Sequence, residues 1–189
     1  MALLSRCRRP ALAAALAVVS AVALVREAGA QAPVPADEYR LKAAIIYSLT
    51  KFVEWPSTAF ANPASPFTVC VLGTDPFGPA LDEAMRGRTV AGRTVATRRM
   101  MTVEPGCHVV FVAASESRRL AAVLEQLRGQ HTLSIGEDTH FLDGGGMVAL
   151  TLQGDRVRFA IRHDVAERAH LRVSARLLVL AGAKNGGAP

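Results

Sequence analysis

The run His108-Val109-Val110-Phe111-Val112-Ala113 constrains this chain more than any other stretch. It has strand length and is almost wholly apolar, which a strand requires when both faces of its sheet are covered. The turn Pro105-Gly106 precedes it. Ser115 follows as a helix cap, with Glu116 suited to the positive helix end, and the helix beyond buries Leu120, Val123, Leu124 and Leu127. The same strand-then-helix order occurs earlier. Phe67 to Leu72 reads as a strand, Gly73 to Gly78 as a turn, and Pro79 to Met85 as a short helix with proline in its first turn. Val90 to Arg98 alternates as a strand exposed on one side, and Thr132 to Ile135 is another buried strand.

The ends of the domain extend this pattern. Asp37 caps a helix to about Glu54, with an apolar stripe of Leu41, Ala44, Ile45, Leu49 and Phe52, and Pro56 disfavours helix at Trp55. Gly144-Gly145-Gly146 separates Thr139–Leu142 from Met147–Leu152, and Gly154-Asp155 turns a hairpin into Val157–Ile161. A last helix runs from about Val165 to Ala181. The expected fold is α/β, a single compact sandwich of a mainly parallel sheet with an antiparallel C-terminal hairpin and helices on both faces.

The first thirty residues carry Arg6, Arg8 and Arg9, an apolar run from Ala11 to Val25 broken by Ser20, and Ala28-Gly29-Ala30. This is the order of a secretory signal peptide, and its apolar run falls short of the ~20 residues that span a bilayer. The expectation is a cleaved signal over 1–30, a flexible lead-in over 31–36, the domain over 37–183 and a disordered tail over 184–189. The exported protein is then periplasmic and soluble. The formal charge of +6 falls by half on cleavage, to 18 basic against 15 acidic residues, so charge implies no nucleic-acid partner. Of three cysteines, Cys70 and Cys107 survive. An even pair in an exported chain points to one disulfide, the alternative being two buried thiols. No C-x-x-C marks a redox centre.

In sheets of this kind ligands sit at the carboxyl ends of the strands. That rim carries Gly73-Thr74-Asp75, Ala114-Ser115-Glu116 and Gly136-Glu137-Asp138. Asp75, Glu116 and Asp138 could receive a cation or amine, although caps and turns are the commoner use of such residues. Arg86, Arg88, Arg93, Arg98 and Arg99 fall in a stretch without acids, readable as an anion-facing surface or a charge-protected edge. Trp55 and Pro56 close Lys51-Phe52-Val53-Glu54, readable as a recognition patch or as core cover. The five histidines show no ligand spacing, the glycine triplet lacks the context of a phosphate loop, and no serine sits in a nucleophile elbow. No catalytic residue, metal site or cofactor is expected.

Several blocks together resemble the YfiR family of periplasmic proteins. They are Lys42-Ala43-Ala44 through Lys51–Pro56, Phe67–Gly73 with Asp75-Pro76-Phe77, Cys107–Val112, Phe141 with Gly145-Gly146-Met147, Val157–Ile161, and Leu171-Arg172-Val173-Ser174 with Leu177-Leu178. The resemblance covers Tyr39 to Ala181. It implies a homodimeric domain without catalytic residues that binds the periplasmic sensing domain of a membrane-anchored diguanylate cyclase and holds it inactive. Cyclic di-GMP signalling and biofilm formation are thereby lowered. It also maps the family's strand-to-strand disulfide onto Cys70 and Cys107. The chain departs from the family pattern in three ways. It lacks a second cysteine pair between Phe141 and Thr151, it has Arg162 where Asn is usual, and it has His170 where Gly is usual. The latter two changes touch the loop into the last helix, and so a partner surface there. The alternative function is a periplasmic small-molecule-binding module using the carboxyl-end rim.

Overall fold

A computed structural model describes residues 35–137, 139–154 and 156–181. The expected signal peptide, residues 31–34 of the lead-in, Asp138, Asp155 and the tail from 182 lie outside them. In chain order the elements are α1 (Pro35–Thr50), β1 (Val53–Glu54), β2 (Phe67–Leu72), α2 (Ala80–Met85), β3 (Thr89–Val90), β4 (Arg93–Met100) and β5 (Val109–Val112). Then follow α3 (Leu120–Leu127), β6 (Leu133–Gly136), α4 (Thr139–Asp143), β7 (Val148–Gln153), β8 (Arg156–Ile161), α5 (His163–Arg168), β9 (Arg172–Val173) and α6 (Ala175–Leu180).

Seven strands form one sheet in the order β3-β4-β2-β5-β6-β7-β8. The five inner strands run parallel, and an antiparallel strand closes each edge. One row of neighbours crosses the sheet: Val71, Phe111, Ile135, Val148 and Ile161. That row belongs to the core shared with α1 and α2, through Ala43, Ile46, Leu81 and Met85. The opposite face presents Cys70, Leu72, Val110 and Val112 to Val123, Leu124 and Leu127 of α3 and to Phe141 and Leu142 of α4. Helices therefore cover both faces, as the uninterrupted strand β5 requires. Phe67, Phe111 and Ile46 are fully buried, and each such side chain contributes about 1.5–3 kcal/mol. Cys70 and Cys107 are joined, with S–S 2.01 Å and Cα atoms 5.9 Å apart.

Four local readings need correction. Helix α1 begins at Pro35, within the expected lead-in, and stops at Thr50 instead of about Glu54. Its buried face is also rotated by one residue. Lys42, Ala43, Ile46, Leu49 and Thr50 are inside, while Leu41 is 43% exposed. The strand expected over Val90–Arg98 is a hairpin, because Ala91 and Gly92 both take positive φ, 49° and 78°, between β3 and β4. Ser115 does not cap its own helix. The chain makes a 3-10 turn over Ala114–Arg119, and Ser115 Oγ instead accepts from the backbone N of Thr74. The single last helix is two short helices separated by β9. His170 sits at φ 59°, which ends α5, and Ser174 then caps α6 by accepting from Leu177 N. The break lets Val173 and Arg172 pair with Val53 and Glu54.

Candidate functional site

The candidate residues fall into separate places. Trp55 and Pro56 belong to the amino-terminal end of the parallel strands. There Trp55 Nε1 donates to the carbonyl of His108 at 3.1 Å, and its ring meets Phe67 edge-on at 4.7 Å between centroids. His108 stacks on Phe67 at 4.9 Å and on Phe60 at 4.4 Å. Its Nδ1 accepts from Thr68 N at 3.0 Å, and its Nε2 faces Ala59 O at 3.2 Å. A donor on one side and a carbonyl on the other fix the neutral Nε2–H tautomer. Burial, opposed in part by the bond to Ala59 and reinforced by the Arg93 cation, depresses its pKa below the ordinary histidine value. Arg93 lies over Phe60, 3.8 Å from the ring centroid, and donates to the carbonyls of Asn62, Pro63 and Ser65. The loop between β1 and β2 is thus pinned from below by His108 and from the side by Arg93. Beside it opens a cleft of about 440 Å³, lined by Val53, Trp55, Phe60, Phe67 and Val90 among others. Trp55 covers the core and also forms one wall of this cleft.

The described carboxylates Asp75, Glu116 and Glu137 lie at the opposite end of the strands, and each is already held. Asp75 accepts from Phe77 N at 2.8 Å and pairs with Arg99 at 2.9 Å. Arg99 also pairs with Asp82 at 2.5 Å, and this bond holds the Asp82 carboxyl below its usual range. Glu116 is buried beside Gly73 and pairs with Arg119. Glu137 receives Lys42 at 2.7 Å and the hydroxyl of Tyr39 at 2.9 Å. Lys42 also reaches Glu38 at 2.5 Å with its side chain only 3% exposed. Burial and the Glu137 carboxylate push the Tyr39 phenol well above its ordinary value. Asp138 lies outside the described residues. Arginines of the acid-free stretch are in part engaged internally: Arg98 donates to Pro105 O and to Cys107 Sγ, and Arg88 lies over Tyr47.

Arg162 occupies a third place, at the start of α5. It grips Asp164 through Nε and Nη2, at 3.0 and 2.7 Å, and donates to Leu142 O at 3.2 Å. This grip, with a lesser part from Arg168, holds the Asp164 carboxyl far below its ordinary range. Among the described residues no three histidine, cysteine or acidic groups converge as metal ligands, and no helix is long and apolar enough to cross a membrane. Sequence reasoning missed His108 and Lys42 as organising residues. His108 had a signal, since a histidine opens an apolar strand, whereas Lys42 lay off the stripe read from the sequence.

The described rim charges of this three-layer α/β domain are paired from within, and an aromatic cleft lies at the other end of the strands. The chain belongs to the YfiR/HmsC-like family, whose model matches residues 39–182. That family comprises periplasmic regulators of diguanylate cyclase signalling and is regulatory, not catalytic. No curated protein matches the chain. Among solved structures, an ABC domain in complex with L-Trp from Streptococcus pneumonia is similar at a TM-score of 0.50 and 12% identity. The alignment covers 77% of this chain and 59% of that one, so the chain spans less than two thirds of the matched protein, and the likeness shows the fold alone.

Proposed function

We propose that this chain is an exported, non-enzymatic repressor. It binds the periplasmic sensing domain of a membrane-anchored diguanylate cyclase and favours its inactive state, lowering cyclic di-GMP output. The family match over residues 39–182 carries the reading. The paired rim supports it over a small-molecule module. A ligand amine at Asp75 or Glu116 would have to displace Arg99 or Arg119, each already bonded there. The domain 37–183 is the acting unit after removal of 1–30, and it works as a homodimer. The partner surface is the amino-terminal end of the sheet around Trp55 and Pro56, with Arg162 as a second contact.

The mechanism is a shift of population. A bound regulator moves its receptor only by the difference in its affinity for the two receptor states. Taking a cyclase from mostly active to mostly inactive needs a preference of roughly 10⁴-fold. The test is affinity purification of the exported chain from detergent-solubilised membranes, with cyclic di-GMP measured in cells that lack it. A diguanylate cyclase in the eluate and raised cyclic di-GMP are expected. Absence of a membrane partner together with unchanged cyclic di-GMP would overturn the reading. Trp55→Ala, checked for folding by thermal melting, should weaken capture.

A further inference from the structure

We infer that the cleft beside Trp55 receives an acidic segment of the partner protein. One bulky apolar side chain enters the cleft, and the carboxylates flanking it meet Lys51, Arg88 and Arg93. The inference rests on the partner surface in the proposed function and names the chemistry that this surface selects.

The cations come first. Lys51 follows α1 and Arg88 precedes β3, yet both lie on one ring. Lys51 Nζ is 4.6 Å and the Arg88 guanidinium carbon 5.0 Å from the centroid of Tyr47, whose hydroxyl donates to Thr89 O at 3.4 Å. Arg93 lies over Phe60 and turns Nη1 to three carbonyls of the β1–β2 loop. None of these three cations has an ion pair among the described residues, and Lys51 and Arg88 are exposed. An aromatic face attracts a cation without cancelling its charge. The charge is left for an anion, and a side chain already held on a ring loses less freedom when that anion arrives. The opposite end of the strands differs, since Asp75, Glu116 and Glu137 there are met by cations of the same chain.

The cleft supplies the apolar half. Lys51, Thr89 and Ala91 line it together with Trp55, Phe60 and Phe67. Glu54 is the acid of the lining, and Arg172 pairs with it at 3.6 Å. Apolar walls bordered by unpaired cations complement an apolar side chain bordered by carboxylates. Ala91 is a further sign. It takes φ 49° in a two-residue hairpin turn, where asparagine, aspartate or glycine is the usual choice. Its side chain ends at Cβ, so this lip of the cleft carries no carboxylate to oppose an incoming acid. An anionic bilayer would share the charge of such a segment but not its shape. A flat array of headgroups sends no apolar group into a concave cleft, whereas a peptide segment does.

The chain holds one tryptophan, and it stands in the cleft wall, so Trp55 emission reports occupancy. The probe is an acetylated hexapeptide with phenylalanine and leucine at its centre and two acidic residues on each side. Its counterpart carries the corresponding amides. The acidic peptide should shift the emission saturably, and the amide peptide should bind on the order of tenfold more weakly. Raising salt from about 20 to about 300 mM should narrow that gap, because exposed charges are screened. Lys51→Gln with Arg88→Gln should bring the acidic peptide down to the affinity of the amide one. Arg118→Gln, an exposed arginine of the 3-10 turn at the other end of the strands, should leave it unchanged. The inference is overturned if the two peptides bind alike, or if Arg118→Gln weakens binding as much as the double variant. It is also overturned if vesicles rich in phosphatidylglycerol shift the emission and the acidic peptide does not. Should the double variant not fold, the two peptides on the unmodified chain decide alone. Capture of the cyclase from membranes separates this inference from the repressor reading. A double variant that captures it as well as the unmodified chain ends the inference and leaves that reading intact. An unmodified chain that binds the acidic peptide but captures no cyclase ends that reading and leaves the acidic-segment site standing.

Discussion

The ring of His108 accepts the backbone N–H of Thr68 at 3.0 Å, and only a neutral imidazole can do so. Protonation would turn that acceptor into a donor facing a donor. The charge would also arise between two aromatic rings, within reach of the Arg93 cation.

Stability should therefore depend on pH in a defined direction. Burial lowers the folded pKa of His108, so the unfolded chain binds the proton more readily. This contribution is complete above about pH 6.5, the unfolded value, and is lost as pH falls from there through the depressed folded value. Urea unfolding from neutral to mildly acid pH should show the midpoint dropping. His108→Gln, whose amide can supply both an acceptor and a donor, should flatten that slope. Parallel losses in both proteins would refute the assignment.

The disulfide spans 37 positions and ties β2 to the start of β5. Replacing both Cys70 and Cys107 with alanine should cost on the order of 4 kcal/mol by the chain-entropy account. Denaturant midpoints with and without reductant give the comparison. The double variant, already lacking the bond, should be insensitive to reductant.

Gly136 and Gly146 lie against one aromatic ring. A Cβ built on either overlaps Phe141, which is itself buried under the sheet. Gly146→Ala should destabilise by about 1–3 kcal/mol or more, as overpacking does in a close-packed core. Gly129→Ser, whose site has nothing near but a positive φ of 78°, should be milder. Thermal melts rank the two.

Lys42 pairs with both Glu38 and Glu137, and its own side chain is almost fully enclosed. Lys42→Met keeps the length and removes the charge. It leaves two neighbouring carboxylates unpaired, for a loss on the order of 3 kcal/mol, at the low end for broken buried pairs because both acids keep some exposure. Chemical denaturation reads the loss, and Lys42→Arg should recover part of it.

The central parallel strands β2 and β5 were legible because each is a largely apolar run between turn residues, and the terminal hairpin because Gly154 and Asp155 mark its turn. The two-residue strands β1, β3 and β9 were not. Val53 and Val173 look like parts of helices until each finds the other, 120 positions away, and no local pattern encodes such a meeting. The candidate site divides in the same way. Asp75 and Glu116 could be placed on the rim from strand ends alone. Their neutralisation by Arg99 and Arg119 depends on side-chain reach across turns. The bond from Trp55 to His108 O crosses 53 positions.

The pairing of β1 with β9 has a consequence for how the molecule comes into being. A polypeptide emerges from synthesis or transport amino end first, and Val53 and Glu54 appear long before Arg172 and Val173. The sheet can assemble around β2 and β5 in the interval, but the ribbon at the end of α1 has no mate until nearly the whole domain is out. Until then Val53, one wall of the aromatic cleft, has no strand beside it. Completion of that cleft wall is thus a late event, waiting on β9.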